Sequence, residues 1–140
     1  MVVIDASVVL KWLLNSPDAE SDTARASELM RRVLMGDEEI LQPGHWLAEV
    51  GAVLSRLSPK SAVRDIGMLH ALELPVREDA STYEQACRLA INLKQHVFDT
   101  LYHAVALETP GATFITADER YLRAARHLGR IVQLSKWKAD

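Results

Sequence analysis

The chain reads as a three-layer α/β/α protein with a mostly parallel central sheet flanked by helices. Three observations predict this class. Strand-like and helix-like segments alternate from end to end, the pattern that builds a parallel sheet through helical crossovers. The segments "VVI" and "ATFIT" are continuously apolar, as strands covered on both faces are. Each leads to an acid, Asp5 or Asp118, and then to a helical pattern.

In order, Val2 to Ile4 forms the first strand, and a helix runs from about Ser7 to Leu14. "NSPD" breaks the chain. Ala24, Leu29, Met30 and Val33 then mark a helix from Ser21 to Met35, capped by Gly36. "EILQP" is the second strand. In "HWLAEVGAVLSRL" a broad apolar stripe of Leu47, Val50, Val53, Leu54 and Leu57 predicts a strong helix, with Glu49 among them. Ser58 and Pro59 carry the N-cap and first-turn chemistry of another helix, ending near Leu72, before "LPV" as a weak strand. Ser81 with Glu84 makes a capping box for a helix from Thr82 to about Leu93.

"VFDTLYHAVAL", Val97 to Leu107, is apolar around most of a helical circumference, yet holds Asp99 in its first turn. Pro110 and Gly111 end it, and "ATFIT" follows as a buried strand. "ERYLRAARHLG" is a helix closed by Gly129, and "IVQL" is the last strand. No repeat, low-complexity tract or linker divides residues 1–140, which are read as a single domain.

Composition narrows the function. With 49% hydrophobic and 25% charged residues the chain is a globule, and 16 basic against 19 acidic residues, net charge -3, argue against a coat for nucleic acid held by bulk positive charge. No run of about eighteen apolar residues spans a membrane. "MVVIDASVVLKWLL" lacks a basic leader and is interrupted by Asp5 and Lys11, so it is read as structure rather than a signal peptide. The single Cys87 is read as a small packed hydrophobe in a reducing, cytoplasmic setting.

Four acids carry the chemistry. Open parallel sheets gather ligands outside the carboxyl ends of their strands, where Asp5 and Asp118 stand. Glu49 and Asp99 lie in the first turns of helices able to flank that edge. Like charges ~4 Å apart repel by about 4 kcal/mol at an effective dielectric near 20. A hard divalent cation removes the conflict, and Mg²⁺ or Mn²⁺ favours carboxylate and water oxygens. Singly, each acid has a plainer reading: Asp5 and Asp118 as helix N-caps, Glu49 at the solvent edge of its stripe or paired with Arg56, Asp99 satisfied by Thr100 or its own helix end.

Taken together, "VVIDASVVLKWL", "PGHWLAEVGAVL", "VFDTLYHAVALE" and "FITADERYL" resemble, in order, the acid-bearing motifs of the PIN domain family, and in size its VapC-type toxins from bacterial toxin–antitoxin pairs. The resemblance runs from end to end. It implies a metal-dependent endoribonuclease whose pocket is formed by Asp5, Glu49, Asp99 and Asp118. Mg²⁺, or Mn²⁺ in its place, would be held by Asp5, Asp99 and Asp118, with Glu49 positioning water or acting as base. It further implies products with a 5′-phosphate and a 3′-hydroxyl, and a homodimer neutralised by a cognate antitoxin whose tail enters the pocket. Ser7 and Thr116 match small hydroxyl positions beside that pocket. Phe98 replaces the tyrosine often found before the third acid.

Other signals are weaker. His96, Asp99 and His103 have the spacing of a transition-metal site, but no HExxH occurs, and His103 suits a rim or packing role. Arg120, Arg123, His127 and Arg130 form a basic stripe for a phosphate backbone or simply a solvated face. Lys11 and Trp12 offer a phosphate contact and a stacking surface. Trp46, Trp137 and the helix from Ser58 to Leu72 suit either a partner surface or packing. An aspartyl nucleophile at Asp5 is a rival, but Ser7 stands where a phosphotransferase of that type needs a second acid. A domain that binds RNA or a partner without cleaving it is the other rival. Nucleotide loops GxxxxGK[ST] and GxGxxG are absent.

Overall fold

A computed structural model describes residues 1–14 and 20–139; the expected break at "NSPD" lies mostly outside them. The elements run β1 (Val2–Ile4), α1 (Ala6–Leu14), α2 (Glu20–Met35), β2 (Gln42–Pro43), α3 (Trp46–Leu57), α4 (Pro59–His70), β3 (Val76–Arg77), α5 (Ala80–Leu93), α6 (Val97–Glu108), β4 (Thr113–Thr116), α7 (Glu119–Ala125) and β5 (Ile131–Gln133). The expected alternation is present, with helices flanking a parallel sheet.

β1, β4 and β5 pair in parallel in that spatial order, with Val3 opposite Phe114 and Phe114 opposite Ile131. β2 and β3 form a second parallel pair. A parallel bridge between Val2 and Ile40 brings the chain entering β2 alongside β1. The chain therefore moves outward on one side of β1 and returns on the other through β4. The switch point falls between β1 and β4, where open sheets form their crevice.

Gln42 joins the two halves. Its fully buried amide receives the Ile4 N–H at 2.9 Å and donates to the Ile4 carbonyl at 2.7 Å, standing in for a neighbouring strand. Gln42→Leu leaves both Ile4 groups without partners in the core. It is expected to destabilise the protein by roughly 2–4 kcal/mol, read as a lower denaturation midpoint; an unchanged midpoint would remove this role.

Burial explains the apolar helix. Thr100 to Ala106 of α6 are all buried, because α6 crosses β1, β2 and β4 on one side and packs on α5 through Ala86, Leu89, Leu101 and Ala104 on the other. A helix covered on both sides needs no polar face.

Several local expectations are corrected. The α5 cap is Asp79, whose carboxylate accepts the Thr82 N–H at 3.1 Å, while Ser81 donates its hydroxyl to Asp79 and Glu84 pairs instead with Arg88. A charged acceptor with four donor groups around it, from Arg77, Ser81 and Thr82, outcompetes a serine hydroxyl for the helix start. Ser58 stands at the start of α4 without bonding a backbone N–H, its hydroxyl shared with Ser61. Cys87 is exposed rather than packed. The helix after Asp118 tightens into a 3₁₀ turn at Arg126–Leu128, and Arg130 turns back to the Thr109 and Ala112 carbonyls, so the basic stripe is confined to Arg120 and Arg123 of α7 with His127 on that turn. Trp46 is buried in the core and Trp12 and Trp137 pack against it.

Candidate active site

One open cavity of about 230 Å³ at the carboxyl edge of β1 and β4 is lined by Asp5, Ser7, Glu49, Asp99 and Asp118, with Leu10 and Val53 among its apolar walls. Asp5 follows β1 directly and Asp118 stands two residues past β4. Glu49 and Asp99 enter from the first turns of α3 and α6. All four acids singled out in the sequence thus share one cavity.

Asp5 is the most enclosed. Its Oδ1 accepts the Ser7 hydroxyl and the Val8 N–H at 3.2 Å, and its Oδ2 accepts the Thr116 hydroxyl. The same hydroxyls take the Ala117 N–H at 3.0 Å and the Asp118 N–H at 2.9 Å, respectively. Ser7 and Thr116 therefore tie the loop after β1 to the loop after β4, and position two acids at once. Burial pushes the Asp5 carboxyl up to about 6, against the pull of these hydrogen bonds and with a further push from Glu49.

Asp118 both caps a helix and faces the cavity. Its Oδ1 accepts the Arg120 and Tyr121 N–H groups at 2.8 and 3.1 Å. The capping role considered for it is real, and Oδ2 is left for other work. Asp5 likewise caps α1 through Val8.

For Asp99, burial and then the charges of Glu49 and Asp118 raise the carboxyl above its ordinary range. Thr100 does not relieve it, since its hydroxyl goes to the Ala86 and Val97 carbonyls. Glu49 has the opposite setting. Burial raises it, but His45 and Tyr102 together outweigh burial and hold it below its ordinary range. Tyr102 donates its hydroxyl to Glu49 Oε2 at 2.6 Å, and His45 Nε2 lies 3.5 Å from the same oxygen, an ion-pair distance once the imidazole is protonated. The alternative pairing with Arg56 does not form, since Arg56 is exposed farther along α3.

Gln42, His45 and Tyr102 are the site's unforeseen supports. Only Tyr102 had a signal, being one turn beyond Asp99 on the same helix. Tyr102→Phe is expected to let the Glu49 carboxyl rise while the fold persists, checked by NMR titration of the Glu49 side chain; an unmoved titration would sink the assignment.

The zinc-type grouping does not form. His103 is fully buried, with Nδ1 at 3.1 Å from the Tyr121 hydroxyl and Nε2 at 2.8 Å from the Gly129 carbonyl, while His96 Nδ1 accepts the Phe98 N–H. His103 is a packing residue.

Among the described residues, no three His, Cys, Asp or Glu side chains are drawn together tightly enough to grip a bare ion. The donor set still suits a hard, hydrated cation, because Mg²⁺ keeps several waters and needs one or two direct carboxylates. Asp5 uses three of its roughly four acceptor positions, and Asp118 keeps one oxygen clear of its cap.

Fold and site together define an α/β protein with a carboxylate-lined pocket at the switch point of a parallel sheet. The PIN domain family profile matches residues 2–127, and the chain belongs to the PIN domain family, whose members are generally nucleases acting on nucleic acid with divalent metal ions. No curated protein matches the chain. Among the described residues, no helix is long and apolar enough to cross a membrane.

Proposed function

We propose that residues 1–140 form one PIN domain that acts as a Mg²⁺-dependent endoribonuclease, the cytoplasmic toxin of a bacterial toxin–antitoxin pair. Mn²⁺ is expected to substitute. The observation that carries the nuclease reading is the lining of one cavity by Asp5, Glu49, Asp99 and Asp118 in a chain of this family. The toxin role, the homodimer and the cognate antitoxin rest on the resemblance of its motifs and size to VapC-type toxins.

Asp5, Asp99 and Asp118 would hold the cation, with Glu49 at its edge. When bound, the cation offsets the acids' repulsion of a phosphodiester and lowers the pKa of adjacent water. Glu49 is kept ionised by Tyr102 and His45, so it can orient the attacking water and take its proton. Ser7 and Thr116 hold Asp5 in place. Lys11, which follows the cavity-lining Leu10 in α1, and Arg120 and Arg123 on α7 are assigned to the flanking phosphates. Water adds to phosphorus as the bond to the 3′-oxygen breaks, and that oxygen takes a proton from solvent, giving a 5′-phosphate and a 3′-hydroxyl. Asp5 suits holding better than nucleophilic attack, since both of its oxygens already accept hydrogen bonds.

The test incubates purified, antitoxin-free protein with labelled cellular RNA in Mg²⁺ and in EDTA. Discrete fragments in Mg²⁺ alone are expected. Cleavage that survives EDTA would overturn the metal reading, and intact RNA in both would favour a domain that binds without cutting.

A further inference from the structure

Beside the acidic cavity lies a second crevice of about 210 Å³, lined by His45, Ala48, Glu49, Ala52, Val53 and Phe98. The two cavities share Glu49 and Val53. Phe98 precedes Asp99 in the first turn of α6 and remains 48% exposed, unusual for a large aromatic with a core close by. It is held in place by other rings. His45 stacks on it at 5.2 Å between centroids and 29° between planes, and His96 meets it at 4.9 Å. Tyr102 fixes His45 from behind at 4.9 Å.

A preordered, half-exposed ring over a small apolar crevice suits a flat, aromatic, partly polar ligand. The His45 imidazole is itself anchored, with Nε2 3.5 Å from Glu49 Oε2, so the ring that backs Phe98 is fixed to the wall the two cavities share. The crevice's continuity with the carboxylate cavity says which flat ligand. Whatever fills it sits next to the phosphodiester position, and the group joined to a phosphodiester there is a nucleoside.

We propose that Phe98, backed by His45, is the stacking platform of a subsite for one unpaired nucleobase adjacent to the bond to be cut. The proposal rests on the nuclease reading above and adds which side chain holds the base of the nucleotide beside the bond to be cut. Stacking is indifferent to base identity, so the subsite selects for an unpaired base rather than for a sequence.

The test uses the full chain carrying Asp5→Asn, which keeps the RNA whole, and single-stranded RNA oligonucleotides with the fluorescent base 2-aminopurine at successive positions. Stacking on Phe98 is expected to quench fluorescence at one position. Phe98→Ala should abolish that quenching and weaken binding about tenfold. Phe98→Trp should retain both, while Phe98→Leu, apolar but lacking a π-face, should behave like Ala. Circular dichroism checks each fold, and exposure of Phe98 favours tolerance. No quenching at any position, whether or not the RNA binds, overturns the subsite and leaves the crevice as a protein-contact surface; so does quenching unchanged in Phe98→Ala. Cleavage of unmodified RNA by the wild-type protein is measured alongside. Cleavage without quenching removes the subsite alone, and quenching without cleavage removes the nuclease reading alone.

Discussion

Asp99→Asn is expected to lower RNA cleavage about a thousandfold, the equivalent of roughly 4 kcal/mol of transition-state stabilisation. Asp99 lines the cavity rather than capping a helix or bridging two elements among the described residues, and its surroundings raise its carboxyl through burial, Glu49 and Asp118. Asparagine keeps the shape and removes the charge that the neighbours oppose. The folded state should therefore be at least as stable as wild type. Residual cleavage within tenfold of wild type, in a variant shown by circular dichroism to be folded, would remove Asp99 from the site. Loss of folding would show instead that the carboxylate serves the structure.

The second large effect is on stability. Asp5 is raised from 3.8 to about 6 in the folded chain, chiefly by burial, the reverse of the usual stabilising carboxylate. Between these values the folded state holds a proton that the unfolded state has released, so stability falls as pH rises through the window. Below about 4 both states are protonated and the penalty vanishes. Above about 6 it is complete, on the order of 3 kcal/mol for a shift of about two units. Asp5→Asn is thus expected to stabilise the metal-free protein by up to about that amount at pH 8, with little difference at pH 4. The comparison is made by denaturant unfolding in EDTA at both pH values. Mg²⁺ should raise the wild-type midpoint at pH 8 and move the variant much less, because a ligand stabilises only the state that binds it. A variant less stable than wild type at pH 8 would show that the hydrogen bonds from Ser7 and Thr116 outweigh the buried charge.

These two acids also show what was legible beforehand. Asp5 and Asp118 could be found because each follows a continuous apolar strand in a βα alternation, and strand ends in such sheets converge. Asp99 was conspicuous because α6 is apolar nearly all round. Glu49 is visible only as an acid inside an apolar stripe, and its partners are not. A pattern along α3 offers only Arg56 as an alternative to a metal, whereas Tyr102 comes from another element 53 residues away. The α5 start was misplaced for a similar reason. Ser81 and Glu84 fit a local capping pattern, but Arg77 and Thr82 converge on Asp79 and fix the helix start there. Cys87 looked like core because its helix is amphipathic; only the packing of α5 on α6 determines which residues face inward.

The sequence by itself determined the order of strands and helices, the parallel sheet and the four acids, because periodicity and chain punctuation are local and a βα alternation leaves few ways to close a sheet. Tertiary structure alone decided which hydroxyls bind Asp5, that a glutamine side chain completes the sheet beside Ile4, that Tyr102 and His45 hold Glu49, and that Phe98 remains exposed at the pocket's rim. Those outcomes depend on distances between side chains far apart in the chain. Hydrogen bonding and desolvation act only over such short distances, so no pattern along the sequence expresses them until the elements have packed.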